Sequence, residues 1–354
     1  MPNDKGMRCG ASKWMEGTGP DGEIVLSSRI RLARNIMELP FPYLASDSQT
    51  ESVNHQLKQV SAKLSDELGD IEFLRMSEIP SLQRQVLVEK HLISPLLVKE
   101  SHNSAVMLRF DQAVSIMINE EDHLRIQCLL PGLQLEQAFE EANRYDDLFE
   151  RELNYAYDEQ WGFLTVCPTN VGTGLRASVM VHLPALTLTK QINRVLSAIA
   201  QVGLAVRGLY GEGTEIIGNL VQISNQITLG QSEHEIVRNL YGVTMQIVEQ
   251  ESSARQLLLN EGRDRLSDRV NRSFGVLSHA RLMSSQEAME LLSDVRLGID
   301  LGLIEEVSAN ILKELMVLLR PACLQTEAGR ELDGMERDRE RARLIRQRLG
   351  MENQ

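Results

Sequence analysis

Between Ala105 and Leu130 the chain packs three apolar runs, Ala105–Phe110, Val114–Asn119 and Leu124–Leu130, into very little sequence. Only short polar turns separate them, one around Asp111-Gln112 and one from Glu120 to His123. An antiparallel meander is the natural reading of runs joined by such short turns. Further strand-like runs follow at Gly162–Cys167, Ser178–Leu183 and Leu220–Ser224. Apolar residues recur at helical spacing in Gln49–Leu68, Leu133–Tyr157, Leu186–Val202 and Ser232–Arg272. The strands cluster in the middle of the chain and do not alternate strictly with helices. That pattern predicts an α+β layer built on an antiparallel sheet, not a Rossmann-type fold.

Beyond about Gly262 the pattern is helical only. Ser284 and Glu287 have capping-box spacing and open a helix that can run to Gly302. Ser308–Leu319 reads as a second helix, stopped by Pro321, and Glu327–Gly350 as a third, rich in arginine and acidic residues. A chain of 354 residues is long enough for about two domains. The expected division is a loose leader at 1–22, a main α+β domain at 23–260 and a small helical domain at 261–354.

Composition narrows the function. A net charge of −13 disfavours a general nucleic-acid or anionic-membrane binder, because both call for a basic surface. No apolar run approaches the roughly 20 residues that cross a bilayer, and Met1–Trp14 lacks the apolar stretch of a signal peptide. Cys9, Cys128, Cys167 and Cys323 are scattered, with neither CxxC spacing nor a histidine at metal-ligand distance. A reducing cytoplasm is therefore expected, with no protein-held metal.

In an acidic chain, arginines gathered at one place are informative. Arg29, Arg31, Arg125, Arg176 and Arg207 all fall at edges of strand-like or loop segments. Singly each reads as a surface residue. Together they can form the electropositive pocket that a polyphosphate needs, since a guanidinium grips phosphate bidentately and keeps its proton. Glu121 and Glu212 sit on short loops, in Asn119-Glu120-Glu121-Asp122-His123 and Gly211-Glu212-Gly213. Alone, each would pass for a solvated turn. In Cys167-Pro168-Thr169-Asn170-Val171-Gly172-Thr173-Gly174-Leu175-Arg176 two glycines permit close approach to a ligand, yet neither a P-loop nor a GxGxxG pattern is present.

That last stretch, continuing into Ala177-Ser178-Val179, closely resembles the signature of the ATP:guanido phosphotransferases, the phosphagen kinases. Ser27-Ser28-Arg29-Ile30-Arg31, Asn119–Arg125 and Arg207–Glu212 resemble other segments of the family, in the family's order. The resemblance implies a catalytic domain on a curved antiparallel sheet flanked by helices, using ATP with Mg²⁺ held by phosphates and water. It implies that Arg29, Arg31, Arg125, Arg176 and Arg207 meet the phosphates, with His91 as a nucleotide contact. The nucleotide site would be lined by Ser27, Ser28, Arg29, Ile30 and Arg31, by Arg176, Ala177, Ser178, Val179 and Met180, and by Arg207, Gly208, Leu209, Tyr210, Gly211 and Glu212. Glu121 and Glu212 would grip the acceptor guanidinium and accept its proton, either of them being able to serve as the base. Cys167 resembles the family's reactive cysteine, in a helper role; its plain alternative is a small buried hydrophobe at a strand end.

Phosphagen kinases for small molecules carry a helical lobe of about 100 residues before the first arginine motif, whereas only 26 residues precede Ser27 here. The added helices lie instead at the C-terminal end, and this arrangement resembles the bacterial protein-arginine kinases. Arg337-Asp338-Arg339-Glu340-Arg341-Ala342 resembles the RDxxRA motif of that group, which implies a phosphoarginine-binding allosteric pocket formed by Arg337, Asp338, Arg341 and Ala342. The competing reading of this segment is a solvated helix laced with ion pairs. The resemblance further implies arginine-bearing protein substrates, among them a stress-response repressor. It also implies a zinc-containing activator protein and the ClpC–ClpP protease as consumer of the marked proteins; a symmetric homodimer through the helical region is expected because two-fold association is the commonest oligomer. A kinase for free arginine or another small guanidino compound, and a non-catalytic phosphoarginine-binding adaptor, are the alternative functions.

Overall fold

The computed structural model describes residues 9–10, 12–17, 19–99, 102–208 and 216–350. Ten strands occur among them: β1 (Val25–Arg34), β2 (Ile71–Arg75), β3 (Ala105–Arg109), β4 (Val114–Ile118), β5 (Leu124–Pro131), β6 (Tyr157–Asp158), β7 (Gly162–Phe163), β8 (Leu175–His182), β9 (Leu204–Gly208) and β10 (Leu220–Asn225). Eight of them form one antiparallel sheet in the order β2-β3-β4-β5-β1-β8-β10-β9, and β6 and β7 pair apart. The meander is β3–β4–β5, as its short turns require. The run Gly162–Cys167, by contrast, contributes only Gly162–Phe163 to a strand. Pro168 cannot donate a ladder hydrogen bond, and Thr165 turns its hydroxyl onto the Cys167 carbonyl at 2.8 Å, so the chain leaves the strand there.

Strand β1 lies at the centre of the sheet, and its alternation Arg29-Ile30-Arg31-Leu32 explains why. Successive side chains of a strand point to opposite faces, so both arginines share one face while Ile30 and Leu32 enter the core on the other. The Ile30 face is covered by α1 (Asp47–Lys63), α2 (Ser65–Leu68), α5 (Leu135–Glu150), α6 (Pro184–Leu188), α7 (Ile192–Gln201) and the first half of α8 (Glu233–His279); α3 (Ser81–Glu89) and α4 (Pro95–Lys99) lie elsewhere. These two short helices cover the opposite face at its β2–β4 end, around Leu74, Val106, Leu108 and Met117.

The remaining helices, α9 (Ser285–Asp300), α10 (Ile311–Leu318), α11 (Pro321–Ala328) and α12 (Gly334–Arg348), build a second core with the last part of α8. Ser232, Ser284 and Asp333 cap α8, α9 and α12 through the N–H groups of Glu235, Glu287 and Glu336. Helix α8 is continuous across the expected boundary apart from non-helical angles at Gly262. Pro321 does more than stop a helix: it is the first residue of α11, where its missing N–H costs nothing. The leader also differs from expectation in its described part. Trp14 is fully buried and donates from Nε1 to the Lys90 carbonyl at 3.1 Å, so a lone aromatic without a periodic pattern anchors this segment.

Candidate active site

Register alone places the five arginines. Residues directly opposite each other in an antiparallel pair share a face. Arg31 lies opposite Arg176, Arg29 opposite Ser178, and Arg125 opposite Ala33, while Arg207 lies opposite Gln222, itself opposite Met180. Arg125, Arg29, Arg31, Arg176 and Arg207 therefore line one face across β5, β1, β8 and β9. This is the face left open between α3–α4 at one end and the C-terminal helices at the other.

The guanidinium groups of Arg29, Arg31, Arg125 and Arg176 crowd one another, half-buried, while Arg207 is exposed at the edge. Burial, then the charges of Arg125 and Arg176, bring the Arg29 guanidinium down to about 10. Burial and the charges of Arg29, Arg125 and Arg176 push Arg31 well below its ordinary value. Arg176 is lowered by burial, Arg207 and Arg125, with Cys167 and Glu121 pulling the other way. Nε of Arg31 and Nε of Arg176 are buried without a hydrogen-bond partner. Crowded cations with unused buried donors are an arrangement that a polyanion would relieve.

Arg125 has a partner the sequence reading passed over. Its Nη1 donates to both carboxylate oxygens of Glu120, at 2.7 and 2.6 Å. Burial works against the Glu120 carboxylate, but Arg125, Ser94 and the Glu121 N–H hold it below the usual range. Asp122 accepts from Asn35 Nδ2 at 2.6 Å and from the Val166 N–H at 2.8 Å, tying the 119–123 loop to the segment that leads into Cys167. His123 Nδ1 accepts from the Ile36 N–H at 3.0 Å, so its ring is the neutral Nε2–H form facing Pro40. With its neighbours fixed in this way, Glu121 keeps a half-buried carboxylate. Burial, Asp122 and Glu120 raise its proton affinity, while Arg125 and Arg176 oppose them.

Cys167 sits beside this group, half-buried, with Sγ 3.0 Å from Thr169 Oγ1. The loop after it is held by Thr228, whose hydroxyl donates to the carbonyls of Thr169 and Val171 at 2.9 and 2.7 Å. Gly172, at φ 112°, passes so close that a Cβ would lie 2.3 Å from the Thr228 carbonyl oxygen. His91 adopts a left-handed backbone at φ 60°, fixed by Gln127 Nε2 donating to its carbonyl at 2.9 Å. Its ring stands 5.6 Å from that of Trp14, and burial with the charges of Arg29 and Arg320 lowers it to about 3. A cavity of about 240 Å³ opens beside it over Arg29, Arg31 and Arg125, and a narrower slot runs on between Ser27, Ser178 and Met180.

Two family models match the chain. Residues 52–254 match the ATP:guanido phosphotransferase C-terminal catalytic domain, and residues 263–354 match the protein-arginine kinase McsB C-terminal domain. The chain belongs to the ATP:guanido phosphotransferase family. It is thus an ATP-dependent kinase for a guanidino acceptor. It is similar to the protein-arginine kinase of Brevibacillus brevis, with 56% identity over 96% of this chain and 95% of that one. A second protein-arginine kinase, from Halothermothrix orenii, is 55% identical over 96% of this chain and 97% of its own. The crystal structure of a lombricine kinase superposes with a TM-score of 0.58 at 26% identity, over 75% of each chain.

Within this family frame, the structure brings together Arg29, Arg31, Arg125, Arg176, Arg207, His91, Glu121 and Cys167. Ser27, Ser178 and Met180 share their face, whereas Ser28, Ile30, Ala177 and Val179 alternate to the other side of the sheet. Gly208 ends β9, and Leu209, Tyr210, Gly211 and Glu212 lie outside the described residues. Arg337, Asp338, Arg341 and Ala342 lie apart, on α12. There Arg341 is buried: Nη1 donates to Asp338 at 2.6 Å and to the Met283 carbonyl at 2.8 Å, and Nε to the Leu319 carbonyl at 3.2 Å. Ala342 packs in the second core. Among the described residues, no helix is long and apolar enough to cross a membrane.

Proposed function

We propose that the chain transfers the γ-phosphoryl group of ATP to the guanidinium of arginine side chains in proteins. What carries the reading is the single face of five guanidinium groups, two with unused buried donors, facing a carboxylate with raised proton affinity. The triphosphate lies along Arg29, Arg31, Arg125, Arg176 and Arg207, with the nucleoside towards the slot beside His91. Bound Mg²⁺, held by phosphate oxygens and water, supplies further neutralisation of the phosphate charge.

The acceptor presents the opposite difficulty. Arginine has a pKa above about 12 and is not a nucleophile while protonated. Glu121 and Glu212 hold its planar fork in line with the γ-phosphorus. One carboxylate takes a proton as the guanidino nitrogen forms its bond to phosphorus and the bond to the ADP oxygen breaks. Cys167 borders the acceptor as a helper and forms no covalent intermediate.

On the same reading, Arg337, Asp338, Arg341 and Ala342 take a phosphorylated arginine away from the active centre and feed back on activity. The helical region from 261 also forms a homodimer. Marked proteins, a stress-response repressor among them, pass to the ClpC–ClpP protease in the cytoplasm, with a zinc-containing protein as activator. The match of residues 263–354 to the C-terminal domain of protein-arginine kinases supports these roles.

The test is incubation of the full chain with ATP and Mg²⁺ and either an unfolded protein or free arginine, reading acid-labile phosphate in each. Phosphate on protein, lost in Glu121→Ala and Glu212→Ala variants that still bind ATP, is expected. Transfer only to free arginine would shift the assignment to a small-molecule kinase. Full activity in both variants would end the two-carboxylate scheme.

A further inference from the structure

Strand register gathers the acceptor side of the candidate active site at one end of the sheet. Arg34, the last residue of β1, lies opposite Leu124, the first of β5, and Leu32 lies opposite Leu175, the first of β8. Ser224, near the end of β10, lies opposite Ser178 in the first half of β8. The segments that follow β1 and β10 therefore emerge beside those that precede β5 and β8. The latter two carry Glu121 and Cys167.

Three segments are bonded directly to these loops, and each holds large apolar side chains out to solvent. After β1, the Ile36 N–H and the Pro40 carbonyl meet the two ring nitrogens of His123, and a single 3₁₀ turn at Pro42–Leu44 follows. Met37 is exposed here, and Tyr43 and Leu44 are 67% and 65% exposed. The hairpin of β6 and β7 joins this segment where the Ala156 N–H donates to the Asn35 carbonyl at 2.7 Å. It joins the Cys167 loop through a bridge between Phe163 and Gly172. Asp158 accepts from the N–H groups of Gln160 and Trp161 at 2.8 and 3.0 Å, which sets the hairpin turn and leaves Tyr157 and Trp161 in solvent. After β10, Thr228 holds the carbonyls of Thr169 and Val171, and its two chain neighbours, Ile227 and Leu229, are exposed.

These seven make up half of the fourteen exposed large apolar side chains among the described residues. Single exposed apolar residues are ordinary, but such a concentration marks a place where another molecule docks. Acidic side chains, Glu38, Asp158 and Glu159, are exposed among them. The surface thus suits a partner that is apolar and cationic, and it continues from the carboxylate of Glu121. In an extended chain, residues on both sides of an arginine can meet separate segments around one carboxylate. We propose that this apolar rim is the docking surface of the acceptor, and that it takes an extended polypeptide segment in which apolar side chains flank the arginine. The assignment rests on the protein-arginine reading and adds to it: Glu121 recognises the arginine, and the rim selects by its neighbours.

The test compares two peptides of equal length and charge, each with one arginine, flanked on both sides by Leu and Phe or by Ser. kcat/KM at saturating ATP is measured for the full-length wild type and for Tyr43→Ser, Trp161→Ser and Phe110→Ser variants, with thermal unfolding as a check of each fold. Phe110 is exposed as well but follows β3, at the opposite end of the sheet. The wild type should prefer the apolar-flanked peptide about 10-fold or more. Tyr43→Ser and Trp161→Ser should each lose about 3- to 10-fold on that peptide through lost apolar burial. The Ser-flanked peptide, the KM for ATP and the Phe110→Ser variant should be unchanged. If both peptides are phosphorylated equally well by the wild type, or if the rim variants match it on the apolar-flanked peptide, the docking surface is overturned and the protein-arginine reading stands. A lower oligomeric mass by light scattering in the rim variants, with peptide preference intact, also overturns it, because the rim would then join copies of the chain. Phosphorylation of free arginine and of neither peptide would remove the protein-arginine reading, and the docking surface with it.

Discussion

Glu120, Glu121 and Asp122 are three consecutive carboxylates with three different fates, and environment alone sorts them. Glu120 neutralises Arg125, Asp122 ties two loops together, and Glu121 is left facing the cationic pocket with raised proton affinity. Burial and the neighbouring carboxylates keep Glu121 closer to protonation than an ordinary side chain, which suits a group that must accept a proton. The pH consequence has a definite sign. Its base form disappears as pH falls through a value above the ordinary carboxylate range of roughly 4.3, so the acid limb of kcat/KM for the free enzyme should lie above that range. A limb at or below it would contradict the assignment. Stability should run the other way. A raised folded-state pKa means that ionised Glu121 costs the native state above that pKa and nothing below the unfolded value. Glu121→Gln should therefore lower kcat at least about 100-fold while melting no lower than wild type at neutral pH. The gap in Tm should close on acidification. A variant that melts well below wild type at neutral pH would show that Glu121 supports the loop and is not poised against it.

At the scale of elements, helix α12 puts two neighbouring arginines to opposite uses. Arg341 is buried and its guanidinium joins α12 to the end of α10 and to Met283, whereas Arg337 is half-buried on the same helix. Removing one partner of such a buried network leaves carbonyls unsatisfied, so Arg341→Ala should lose about 3 kcal/mol of unfolding free energy. Arg337→Ala should change it by less than about 0.5 kcal/mol. Denaturant titration of both variants decides this, and a harmless Arg341→Ala would return the helix to a merely solvated role. The contrast also shows what a sequence can and cannot carry. The meander and the long helices were legible because side-chain periodicity and turn length act locally. The five arginines could be suspected from their edge positions, but their common face follows from strand register, a property of pairs far apart in the chain. The pairing of Glu120 with Arg125 and the gathering of exposed apolar side chains at one end of the sheet are likewise outcomes of the fold. Trp14 gave no pattern at all, since one aromatic has no period.

For the whole molecule, the two matched family regions share their packing across a common seam. Leu26, Leu129, Met180 and Leu220 belong to the sheet, yet they pack in the second core with α9, α10 and α11. Helix α8 contributes Leu240 and Ile247 to one core and Leu266 and Val270 to the other. A buried polar network closes the same seam. Arg255 donates to Glu251 at 3.0 Å, to Asp300 at 3.2 Å and to the Glu23 carbonyl at 3.2 Å. Arg296 donates to Asp300 at 2.7 Å and to the Gly22 carbonyl at 3.1 Å. His182, at the end of β8, meets Ser293 of α9 at 2.7 Å. Cutting the chain near residue 261 would expose the four apolar sheet residues and strand Arg255 without Asp300. Arg255 would keep Glu251, but breaking a buried charge network by removing one partner costs up to about 3–5 kcal/mol, a large part of the stability of an ordinary domain. We therefore expect the full chain to unfold in one cooperative denaturant transition, with intrinsic fluorescence and far-ultraviolet circular dichroism coinciding. Residues 1–261 expressed alone should be insoluble or lack a cooperative transition, and Asp300→Ala in the full chain should shift the single midpoint to lower denaturant without splitting it. Two separated transitions in the wild type, or a truncated chain that melts cooperatively and binds ATP with wild-type affinity, would show that the catalytic half stands alone and that the seam adds nothing to it.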